Sequence, residues 1–83
     1  MGGRPLFYLV NIGIPKGISK NEIELIFEGM AQIASANKVA LIGGDTCASG
    51  GGILLTITVI GEVDHAKAVT RSGARPGDTV YVT

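Results

Sequence analysis

Residues 5–15, PLFYLVNIGIP, narrow more than any other stretch what this chain can fold into. Prolines fence the segment at both ends. Leu6, Tyr8, Val10, Ile12 and Ile14 recur with the two-residue period of a β-strand. Phe7 and Leu9 make the opposite face apolar as well where the strand begins. A strand that is apolar on both sides is normally covered on both sides. The remaining sequence must therefore supply the cover, or leave it to something else.

The next segment, GISKNEIELIFEGMAQIASANK (residues 17–38), reads as a helix with a complete start signal. Ser19 is placed to be the N-cap and Glu22 to be the third helical residue, the spacing of a capping box. Ile18 and Ile23 occupy the positions of a hydrophobic staple. Ile23, Ile26, Phe27, Met30, Ile33 and Ala34 share one face at the 3.6-residue period. Asn37, followed by Lys38, supplies a left-handed stop.

KVALIGG (residues 38–44) then reads as a short buried strand, which completes a strand–helix–strand unit. A connection of this length permits two parallel, neighbouring strands. GILLTITVIGEV (residues 52–63) is a third strand rich in β-branched residues. Ile53, Leu55, Ile57, Val59 and Val63 lie on one face; Leu54, Thr56, Thr58, Ile60 and Glu62 lie on the other. A polar segment with a turn at Pro76–Gly77 follows. It leads into a last strand, TVYVT (residues 79–83). The expected class is α/β (α+β), residues 1–83 forming a single partial domain with a four-stranded mixed sheet and one long helix. One helix cannot cover both faces of such a sheet.

Composition sharpens that point. Of the 83 residues, 46% are hydrophobic and only 17% charged, and the mean hydropathy is +0.39. So apolar a chain of this size is expected to pack on something else or to oligomerise. Seven basic and seven acidic residues give a formal net charge of zero, which argues against a polyanion such as nucleic acid as partner. The single Cys47 excludes an internal disulfide and a multi-cysteine zinc site, and fits a reducing cytoplasm. There is no signal-peptide pattern after Met1 and no apolar run near the ~20 residues a membrane span requires, so a soluble cytoplasmic protein is expected.

The chemistry centres on VALIGGDTCASGGG (residues 39–52). Asp45 follows an apolar stretch and two glycines, where ligands collect beyond the carboxyl ends of strands in open α/β sheets. Gly43 and Gly44 allow close backbone approach, and their N–H groups can face an anion. A lone carboxylate suits magnesium shared with nucleotide phosphates, because magnesium takes few protein ligands. From the pattern alone, a Gly-Gly-Asp turn without a ligand is the better reading. Arg71 and Arg75 in TRSGARPGD are candidate phosphate clamps, though a solvated loop is the plainer interpretation. No P-loop and no strand-linked G-x-G-x-x-G is present. His65 has no metal-ligand neighbours, and Cys47 has no histidine–acid pair to activate it.

The motifs LIGGDT, ITVIGEV and TRSGARPGDTVYVT resemble thiamine-monophosphate kinase, in the superfamily of aminoimidazole ribonucleotide synthetase, selenophosphate synthetase and a hydrogenase maturation protein. The resemblance covers essentially the whole chain, with MGGRPLFYLVNIGIP looking like the end of an Asp-Leu-Ala-Ala-Met-Gly segment and the strand after it. GGDT is shared with the hydrogenase maturation branch, whereas the purine branch usually has Glu in place of that aspartate. The combination with RSGARPGD points to the thiamine branch.

The resemblance implies phosphoryl transfer from ATP, with magnesium, to thiamine monophosphate, giving thiamine diphosphate. It implies ATP contacts at Gly44, Asp45 and Arg71, with Asp45 also on magnesium, and so turns the reading of Asp45 from bare turn to ligand. A helix position approaches the nucleotide, and Phe27 or Glu28 lies nearest to it. Cys47 stands where threonine or a similar small polar residue is expected. The family's upstream aspartates and its carboxy-terminal domain have no counterpart in these residues, so the chain is expected to be the central part of an N-terminal ATP-binding domain and inactive alone. The family's N-terminal domains pair into a dimeric β-barrel, implying a homodimer. The alternatives are another superfamily member, of hydrogenase maturation or purine synthetase type, and a non-catalytic dimerisation module.

Overall fold

A computed structural model describes residues 2–82. Strand β1 (Arg4–Pro15) is followed by helix α1 (Lys20–Ala36), strand β2 (Ala40–Ser49), strand β3 (Leu54–Glu62) and one 3-10 turn (His65–Lys67). The sheet is mixed, in the order β2-β1-β3, with β1 parallel to β2 and antiparallel to β3. The fenced strand is thus the central one, and both of its neighbours are edges.

Side-chain alternation decides which face of β1 is covered. Tyr8, Val10 and Ile12 are 8%, 4% and 2% exposed and are the buried hydrophobic core among the described residues. Their partners on β3 are Val59, Ile57 and Leu55, which share that face as the sequence pattern requires. Helix α1 lies over it: Met30 and Ala34 border a groove with Tyr8, Ile57 and Val59, and Phe27 lies with Val10 and Leu41. The cover is thin. No residue of α1 is itself buried, and the groove, about 320 Å³, stays open. Ile33, expected on the buried face, is 70% exposed because the groove it lines is unfilled.

The helix begins and ends by local rules. Ser19 Oγ accepts from the Glu22 N–H at 3.2 Å, and the Glu22 carboxylate accepts from the Ser19 N–H at 2.9 Å. This is the expected capping box. At the other end the Lys38 N–H donates to Ser35 O and the Val39 N–H to Ala34 O, the paired bonds of a Schellman motif. The left-handed residue is Lys38, at φ 56°, and not Asn37, at φ −98°. Asn37 instead uses its side-chain Nδ2 to donate to Ile33 O.

Three expectations need correction. Residues 79–82 form no strand, and Val80, Tyr81 and Val82 are 89%, 88% and 97% exposed; Thr83 lies outside the described residues. The sheet therefore has three strands, because a strand exists only where a partner takes its hydrogen bonds, and this segment has none. Second, β2 is neither short nor buried: Leu41 and Ile42 are 47% and 54% exposed on an edge strand that α1 barely touches. Third, β2 does not stop at the glycines but runs on to Ser49.

The Pro76–Gly77 turn is present, with the Asp78 N–H donating to Arg75 O, the Arg75 N–H donating to Asp78 Oδ2, and Gly77 at φ 101°. The radius of gyration is 16.7 Å, against about 12 Å for a compact domain of this length. No helix among the described residues is long and apolar enough to cross a membrane.

Candidate functional site

Asp45 sits inside β2, paired with Asn11 of β1. This overturns both sequence readings of its place. It is not a turn residue, and it does not lie beyond the carboxyl end of its strand. What carries the ladder through Gly-Gly-Asp is a register shift. Tyr8 pairs with Leu41 and Leu9 with Gly43, leaving Ile42 as an extra residue on β2.

Two residues on, Gly44 has φ 148°, and a Cβ built there would stand 1.8 Å from Val10 O. Only glycine lets β2 approach β1 so closely at this point. The backbone proximity read from the sequence is therefore taken up, in this chain, by a neighbouring strand.

The Asp45 side chain is exposed, and its Oδ1 accepts the N–H of Thr46 at 2.8 Å. The second carboxylate oxygen makes no hydrogen bond to a described residue and can take a cation. An open concavity of about 440 Å³ adjoins this stretch, lined by Val10, Phe27, Leu41, Gly43, Gly44, Asp45 and Thr46; by strand alternation the Asp45 side chain, paired with Asn11, stands on the sheet face opposite Val10. Three of the four candidate nucleotide residues, Gly44, Asp45 and Phe27, thus meet in one hollow although α1 and β2 supply them separately. Of the two helix positions left open by the sequence, Phe27 lines it and the exposed Glu28 does not.

Arg71 is not among the lining residues. It stands in an exposed turn after the 3-10 turn, next to a contact between Thr70 Oγ1 and Ser72 Oγ at 3.1 Å. Arg75 is also exposed, and its backbone N–H closes the Pro-Gly turn. Thr46 lines the hollow although the sequence reading passed over it. The signal was its place directly after Asp45 in GGDT, on a strand taken to have ended. Cys47 pairs with Gly13 in the ladder and is exposed and free, with no activating partner.

A divalent cation fits this donor set in part. No group of three or more His, Cys, Asp or Glu side chains converges among the described residues. The chain offers one carboxylate, which suits magnesium only if phosphates, water or other protein groups complete its shell.

The family model described as "AIR synthase related protein, N-terminal domain" matches residues 1–63. The chain belongs to this family. Thiamine-monophosphate kinase of Bacillus subtilis is 43% identical to this AIR synthase related domain over 83 residues, all of this chain and 26% of the relative. The hydrogenase maturation protein HypE, solved in complex with ATP, superposes with a TM-score of 0.81 at 26% identity, over 92% of this chain and 24% of that one. AaThiL, solved with AMPPCP and TMP, gives 0.69 at 22% identity over 72% of this chain and 19% of that one, a likeness of fold. This domain thus spans about a quarter of the length of the relatives it matches.

Proposed function

We propose that this chain is the central part of the N-terminal domain of an ATP- and magnesium-dependent, cytoplasmic kinase that phosphorylates thiamine monophosphate to thiamine diphosphate. Gly44, Asp45, Phe27 and Arg71 serve the nucleotide, and Asp45 also serves the metal. The observation that carries the reading is the meeting of Phe27, Gly44 and Asp45 at one open hollow, in a chain 43% identical throughout to a thiamine-monophosphate kinase. The structural likeness to HypE supports the alternative of a hydrogenase maturation type. The higher identity to the kinase favours the first.

Bound magnesium would neutralise charge on the phosphates. The chain's own residues would bind and orient. Asp45 would hold the cation with the oxygen left open, the other accepting the Thr46 N–H. Phe27 offers a ring against which a base can pack. Gly44 keeps the β2 backbone where Asp45 needs it. Arg71, exposed and unattached, is free to meet phosphate charge. Among the described residues no group is arranged as a nucleophile, and direct transfer requires none.

Titration of the 83-residue chain with a fluorescent ATP analogue tests this. Binding is expected to depend on magnesium and to be lost in Asp45→Ala; metal-independent binding, or binding indifferent to that substitution, rejects the assignment. The chain alone is expected to turn over no thiamine monophosphate.

Homodimerisation belongs to the same reading. β2 and β3 are both edges, and Leu54, Val59 and Ile60 of β3 are 63%, 59% and 44% exposed. Pairing edges into a shared barrel would remove that liability. Light scattering at micromolar concentration should give twice the 8.5 kDa chain mass; a monomer refutes it.

A further inference from the structure

We draw no further inference here: the strongest candidate, the open apolar groove between α1 and the sheet, lined by Tyr8, Met30, Ile33, Ile57 and Val59 among others, carries nothing because nothing in the structure shows what covers it.

Discussion

Gly44→Ala is the sharpest perturbation this structure offers, because one methyl group is asked to occupy space that β1 already fills. The added carbon would stand 1.8 Å from Val10 O, 2.6 Å from Val10 C and 2.9 Å from Val10 N, all backbone atoms of the central strand. No rotamer change can relieve such a contact, so β2 must move away from β1. The residue must also hold φ 148°, which an L side chain resists; the strain costs roughly 1–3 kcal/mol.

Forcing extra volume into a filled site adds about 1–3 kcal/mol more. Together these come to roughly 2–6 kcal/mol. A chain of 83 residues has about 4–12 kcal/mol of stability in all, so a large share is lost. With a urea slope near ~1 kcal/mol per molar for a small protein, the unfolding midpoint should fall by at least about 2 M.

Gly43→Ala is the matched control. Its nearest neighbour would be Leu9 Cδ2 at 3.9 Å, an ordinary contact, and its midpoint should move by less than ~1 M. If Gly44→Ala unfolds within about 0.5 M of the parent, the close approach of β2 to β1 at Val10 is wrong, and with it the backbone that places Asp45.

Gly29 is the reverse case. It lies inside α1 with no atom within 4 Å of a built Cβ, so Gly29→Ala should raise stability by roughly 0.5–1 kcal/mol, read as a higher midpoint; a lower one refutes the helix's open outer face. Ser19→Ala should cost about 1 kcal/mol by removing the cap. The same cap predicts a pH effect. The Ser19 backbone N–H, and then its hydroxyl, donate to the Glu22 carboxylate and hold it below the ordinary value. A lowered folded pKa means that this stabilisation is full above the unfolded value near ~4.3 and disappears as pH falls through the lowered one. In Ser19→Ala that acid-side loss should be smaller; an unchanged pH profile refutes the coupling.

How much was readable in advance followed from how local each determinant is. The helix limits could be read because Ser19, Glu22, Asn37 and Lys38 act within a few residues of themselves, and the structure moved only the left-handed conformation from Asn37 to Lys38. The central strand could be read because its alternation and bounding prolines are its own property. β2 could not. Glycine and aspartate are poor strand formers, and Gly-Gly-Asp continues as a strand only because β1 lies parallel beside it and a bulge at Ile42 absorbs the mismatch. The fourth strand failed for the converse reason: TVYVT has the composition of a strand, but residues 79–82 meet no free ladder.

The candidate site divides along the same line. Gly44 and Asp45 were conspicuous as residues, but their roles relative to each other were not. The sequence suggested that the glycines open space for a ligand; the structure gives the space at Gly44 to Val10. Phe27 joins them because the periodic face of α1 lies over β1, a tertiary consequence that the helical period alone could only bracket between Phe27 and Glu28. Arg71 stays apart because it lies in residues 70–82, which are exposed throughout, and it does not line the hollow. A phosphate site that draws on Arg71 therefore needs that segment to be held by surfaces beyond this sheet, and the exposed edges and the open groove beside Tyr8 are where such surfaces would have to bear.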